Sequence, residues 1–123
     1  MKLLNDFFEL MLMRITENKF HVEVELNPEH EIFLGHFPGN PVVPGVCMVQ
    51  MLKEVLACYH GKEFTMKDAS QLKFLAILNP KEVKSLSIQY TVVKSENDSM
   101  VVSGTFQKDE LIFLKFKCTF IAN

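Results

Sequence analysis

The chain has 123 residues, 48% hydrophobic and 23% charged, and its 13 basic against 15 acidic side chains leave a formal net charge of −2. One domain of this size hides about two-thirds of the surface its unfolded chain exposes, so residues 1–123 are enough for a core without disulfide or metal staples, and a disordered tail protein is excluded. There is no broad basic field for nucleic acid, no apolar run near the ~18 residues that span a bilayer, and Asp6 and Glu9 interrupt the N-terminal stretch where a signal core would lie; a cytoplasmic protein without nucleic-acid or membrane partners is expected.

Residues 3–10 fit a short amphipathic helix starting near Asn5 or Asp6, with Phe7, Phe8 and Leu10 on its apolar side. Residues 11–16 and 20–26 alternate as strands. In the second, Val22, Val24 and Leu26 share one face and Glu23 and Glu25 the other, with Glu17-Asn18-Lys19 as a hairpin turn. The stretch from Gly35 to Gly45 holds three of the five prolines and three of the five glycines, which specifies its path tightly. From Val46 to about Tyr59 the residues are apolar around most of a helical wheel, so this helix is buried on most sides. Gln50, Lys53 and Glu54 form its polar stripe, and Gly61 stops it. Residues 69–78, 83–94, 100–107 and 111–121 read as four further strands joined by short turns at Asn79-Pro80, 95–99 and Lys108-Asp109. Short turns between consecutive strands predict an antiparallel sheet, here wrapped around the hydrophobic helix in an α+β architecture.

Three cysteines, Cys47, Cys58 and Cys118, without CxxC spacing fit reduced, partly buried thiols. His21, His30 and His60 lack metal-site spacing, and Met48, Met51 and Met66 read as adaptable core.

His36 stands in the proline- and glycine-rich loop just ahead of the helix. Alone, such a histidine is readily a surface or structural residue; the helix start beside it supplies a second element. A helix N-terminus presents unpaired N–H groups and partial positive charge, so amides around Gly45 and Val46 suit a carbonyl oxygen gaining negative charge. A neutral imidazole nearby completes a half-site for removing a proton α to a thioester carbonyl.

The run His36-Phe37-Pro38-Gly39-Asn40-Pro41-Val42-Val43-Pro44-Gly45-Val46 closely resembles the HFPGxPxxPGV signature of FabZ-type 3-hydroxyacyl-(acyl carrier protein) dehydratases. Phe33-Leu34-Gly35 before it, the helix, and Lys73-Phe74 and Asn79-Pro80 after it extend the likeness over about residues 9–121. The resemblance implies a hotdog fold and a dimer with the active site at its interface; whether that dimer associates further into a tetramer or hexamer stays open. It implies His36 as catalytic base, Gly45 N–H as donor to the thioester carbonyl, and Phe37, Val46, Val49, Phe74 and Leu75 along the substrate path. The implied partner is an acyl carrier protein carrying a 3-hydroxyacyl group; no metal or organic cofactor is implied. Lys62, Lys67, Lys73, Lys81 and Lys84 either help to dock that acidic carrier or form an ordinary solvated face.

The sequence departs from the family at one catalytic position. Fourteen residues after the histidine, where the family carries Glu or Asp, stands Gln50, and an amide cannot deliver a proton as a carboxylic acid does. One turn on is Glu54, where FabZ-type proteins often carry glutamine, so the two residue types look exchanged. Either Glu54 supplies the acid through Gln50 or a water, or it is solvated and pairs with Lys53 or Lys62; a displacement of ~5.4 Å along the axis favours the second. A heterodimer with another hotdog subunit would also restore an acid. The expected function is dehydration of a 3-hydroxyacyl thioester in fatty-acid or specialised lipid or polyene biosynthesis. The alternatives are a non-catalytic acyl-thioester binder or partner subunit, and a hotdog thioesterase.

Overall fold

Alternation of apolar and polar residues puts most of this chain into strands, and the computed structural model, which describes residues 2–35 and 39–123, joins six of them into one sheet. Strands β1 (Phe8–Thr16), β2 (Lys19–Leu26), β3 (Phe64–Phe74), β4 (Ser85–Glu96), β5 (Ser99–Lys108) and β6 (Leu111–Ala122) run in the order β1-β2-β4-β5-β6-β3. Every neighbouring pair is antiparallel. Tight turns close three hairpins, with Glu17, Asn97 and Asp109 at positive φ of 57°, 55° and 53°.

Because side chains alternate across a sheet, one face carries the core. Val22 and Val24 of β2, Leu86 and Ile88 of β4, Val102 and Phe106 of β5, and Phe116 and Phe120 of β6 are all buried. They share one core with Met48, Met51, Leu52, Val55 and Leu56 of α2 (Gly45–His60). Each such side chain stabilises the fold by roughly 1.5–3 kcal/mol through lost apolar exposure. The wrapped-helix architecture expected from the pattern is therefore present. Pro44 caps the start of α2, and Gly61, at φ 70°, ends it by donating its N–H to the Ala57 carbonyl at 3.0 Å. A short helix, α1 (Ile32–Gly35), precedes the loop.

Three expectations need correction. Residues 3–10 form no helix: Asn5 turns left-handed at φ 69°, Phe7 donates its N–H to Leu3 at 2.7 Å, and Phe8 already pairs with Leu26 as the first residue of β1. The strand expected over 69–78 is instead β3. It ends at Phe74 opposite Leu114; Leu75 makes one more bond to Phe113, and the chain turns to bury Leu78 beside Val43. Two register interruptions, between Met66 and Asp68 and between Ala69 and Gln71, bend β3 at the sheet's edge. Finally, α2 is less enclosed than its apolar wheel suggests, because Val46 and Tyr59 are exposed.

Candidate active site

The start of α2 is held by chain segments on both sides. Val43 donates to the Leu78 carbonyl at 2.9 Å, and Asn79 Nδ2 reaches Asn40 Oδ1 at 3.2 Å. Lys81 N–H and the backbone of Glu82 and Val83 fold around Asn79 in turn. The first bonds of the helix are donated by Cys47 and Met48 to Pro44, at 3.0 and 3.2 Å. The N–H groups of Gly45 and Val46 precede those bonds and so have no partner within the helix.

Gly45 permits a close approach here. A side-chain Cβ on it would lie 2.8 Å from Phe74 Cζ and 2.9 Å from Phe74 Cε1, below any ordinary carbon contact. Phe74 thus lies against the helix N-terminus from the end of β3, with Leu75 after it. Val46, Phe74 and Leu75 are about half exposed or more, giving an apolar rim beside two donor amides. Val49 is half-buried one turn after Gly45. The structure therefore brings together Gly45, Val46 and Phe74 from the sequence-derived set, with Leu75 following Phe74 and Val49 one turn on. His36 and Phe37 lie outside the described residues.

Val46, Gln50 and Glu54 follow at four-residue spacing and stack along one face of α2. Glu54 is not the solvated residue that pairing with Lys53 or Lys62 requires: it is only 9% exposed, and Lys62 pairs with Asp98. Its Oε1 accepts the N–H groups of Leu3 and Leu4 at 3.0 and 2.7 Å. Its Oε2 accepts Leu3 N–H at 2.8 Å and Gln50 Nε2 at 2.7 Å. A carboxylate has no proton to give to these contacts, so the Gln50 amide turns its nitrogen to Glu54. A cavity of about 270 Å³ opens alongside, with Lys2, Leu4, Gln50, Glu54 and Cys58 in its wall.

The N-terminal turn also reaches the approach to the loop. His30 Nδ1 accepts Ile32 N–H at 3.0 Å, which leaves its Nε2–H to donate to Asp6 Oδ2 at 2.9 Å. The Phe7 ring lies 5.3 Å from both the His30 and Phe33 rings. Sequence reasoning missed Leu3 and Leu4, and no residue-type signal could have found them, since they act through backbone amides about fifty positions from Glu54. Away from the site, burial pushes the Cys47 and Cys118 thiols up and the His60 imidazole down; Cys58 is exposed. Among the described residues, no group of three His, Cys, Asp or Glu side chains is placed to hold a metal ion, and no helix is long and apolar enough to cross a membrane.

A family model described as ApeI-like, ApeI dehydratase, matches residues 12–113. Among curated proteins, the chain is 31% identical over 98 residues to a 3-hydroxyacyl-(acyl-carrier-protein) dehydratase FabZ of Levilactobacillus brevis, covering 74% of this chain and 65% of that protein. It is 32% identical over 132 residues to the FabZ of Lactiplantibacillus plantarum, covering 88% and 86%. The chain therefore spans just under two-thirds of the first relative's length. Two solved structures share the fold. The dehydratase heterocomplex ApeI:P of Xenorhabdus doucetiae aligns with a TM-score of 0.70 at 15% identity, covering 91% of this chain and 96% of that one. A hypothetical thioesterase with coenzyme A from Streptococcus pneumoniae aligns with a TM-score of 0.64 at 13% identity, covering 94% and 85%.

Proposed function

The chain belongs to the ApeI-like dehydratase family, and from that premise we propose that it removes water from a 3-hydroxyacyl thioester on an acyl carrier protein, giving the trans-2-enoyl thioester. The observation that carries this reading is Gly45 at the start of α2, with the Phe74 ring standing where a side chain would be. A thioester carbonyl brought to that point meets the Gly45 N–H, and charge developing on its oxygen is stabilised by the helix's first amides. His36 takes the proton from the carbon α to that carbonyl. The bond to the 3-hydroxyl then breaks as the α,β double bond forms, and Gln50 hydrogen-bonds the departing oxygen. That oxygen needs a proton to leave as water, and the amide of Gln50 is not an acid. The proton comes from the imidazolium that His36 has become, or from an acid of a second hotdog subunit.

The same reading has the chain act in the cytoplasm as one hotdog domain, in fatty-acid or specialised lipid or polyene biosynthesis, without a cofactor. It forms a homodimer, with a tetramer or hexamer as larger assemblies, or pairs with a different hotdog subunit. The likeness in fold to a dehydratase heterocomplex, ApeI:P, supports the heteromeric form, and Gln50 favours it on chemical grounds. In the second reading the chain is a partner subunit that holds the acyl thioester while the other subunit completes the site.

The test follows 3-hydroxyacyl and trans-2-enoyl carrier-protein thioesters of several lengths by mass spectrometry, with wild type, His36→Ala and Gln50→Ala. Loss or gain of one water that disappears with His36→Ala is the expected result. Release of free thiol would indicate a thioesterase. Binding without any change of the thioester would refute dehydration by the isolated chain and leave the partner-subunit reading.

A further inference from the structure

Four donor contacts converge on the two oxygens of Glu54, two on each. Three come from the backbone of Leu3 and Leu4, and the fourth from the side chain of Gln50. These are three donors, the Leu3 N–H being shared between both oxygens, and a carboxylate so surrounded acts as their common acceptor. Leu3 is itself 1% exposed, so its N–H has no solvent to turn to if Glu54 is lost.

The segment held in this way does not end at α2. Asp6 accepts from His30, and the Phe7 ring lies against His30 and Phe33. Asn27 donates its N–H to the Phe7 carbonyl at 2.9 Å and its Nδ2 to the Asp6 carbonyl at 3.0 Å. Residues 3–7 therefore tie the middle of α2 to the approach to the loop that carries His36, three positions beyond Phe33. The middle of α2 and the segment of Asn27, His30 and Phe33 are thus joined through one turn anchored on one carboxylate.

We propose that Glu54 is a positioning residue: it fixes the orientation of the Gln50 amide and anchors the N-terminal turn against the middle of α2. The Glu54 carboxylate accepts and does not donate, so Gln50 is locked with its nitrogen toward Glu54. Its carbonyl oxygen is turned to the opposite side of the amide. The amide is thereby held with one set polarity. The functional part of this proposal rests on the dehydratase reading; the locking of the amide does not.

Glu54→Gln tests it, because it keeps shape and one acceptor oxygen while bringing an NH2 group to face Gln50. In the nitrogen-15-labelled full chain, the Gln50 side-chain amide resonances should move as that amide inverts. Hydrogen exchange at the Leu3 and Leu4 amides should quicken by about tenfold or more. With a 3-hydroxyacyl carrier-protein thioester, kcat should fall about tenfold with KM little changed, as expected for misplacement of a group acting in the transition state. A residue needed only for packing would leave kcat and the Gln50 signals as in wild type in this near-isosteric variant. Unmoved Gln50 and Leu3 signals would overturn the proposal, as would moved signals with unchanged kcat. If wild type turns over no thioester, the dehydratase reading fails, while the Gln50 and Leu3 signals still decide whether Glu54 locks the amide.

Discussion

Replacing Gly45 by alanine separates the two uses of that position, close packing and an accessible amide. The new methyl carbon lies 2.8 Å from Phe74 Cζ, so the ring must retreat by about 0.7 Å to reach an ordinary carbon contact of ~3.5 Å. It can do so, because Phe74 is 49% exposed at the end of an edge strand. A half-buried phenylalanine ring hides about 100 Å² of apolar surface, or about 2.5 kcal/mol, and a gap of this size forfeits a quarter to a half of that contact, about 0.6–1.2 kcal/mol. Alanine returns about 0.5–1 kcal/mol as the better helix former. The net change should stay below about 1 kcal/mol, so thermal unfolding shifts by less than about 5 °C. If the Gly45 N–H holds the thioester oxygen, the same methyl group obstructs it, and kcat/KM should fall about 10²–10³-fold. Against Phe74→Ala, where the clash is absent, adding Gly45→Ala should leave the melting temperature unchanged or slightly raised while still lowering activity. A melting temperature lowered by more than about 10 °C would show that the ring cannot yield. Turnover within about threefold of wild type would refute the role of the amide.

Two further outcomes follow from other parts of the fold. Alanine at Gly104 would put a carbon 1.8 Å from the Gln89 carbonyl oxygen and 2.7 Å from Tyr90 Cα; these are backbone atoms fixed in the β4–β5 ladder. Gly104→Ala should therefore cost about 3–5 kcal/mol in chemical denaturation, and a loss under about 0.5 kcal/mol would contradict that packing. His60, among the rings of Phe20, Tyr59, Phe64 and Tyr90, has its imidazole held below its ordinary value of 6.5 by burial. The unfolded chain then binds the proton more readily, so this contribution to stability is fully present above about pH 6.5 and declines as pH falls toward the lowered folded value. Melting curves at pH 7.5 and pH 5.5 should show a drop that shrinks in His60→Phe; an equal drop in that variant would exclude His60 as its source.

The residues that declare themselves in the sequence are those whose partners lie nearby. Val22, Val24 and Leu26 announce their face by alternation, and Gly61 announces the end of α2 because only a left-handed residue closes that helix cheaply. The motif from His36 to Val46 marks the place of Gly45 at the helix start. Glu54 reads as solvated for the opposite reason: it lies in a polar stripe, and its burial arises from a turn about fifty residues away. The same distance hides the turn itself. Phe7 and Phe8 suit a helix by composition, but their burial comes from Phe33 and from pairing with β2. Residues 75–78 are apolar enough for a strand, and β3 still stops at Phe74, where the regular ladder with β6 ends.

The bends in β3 bear on which molecules this protein can safely meet. Its outer side is a sheet margin among the described residues, and a long straight margin would invite any extended peptide to dock by backbone bonding. Interruptions near Lys67 and Ser70 break that invitation into short lengths. An arriving strand keeps continuous bonding only if its own path departs from straightness at matching places. Irregularity of this kind is one of the ways in which a sheet margin limits unwanted strand addition.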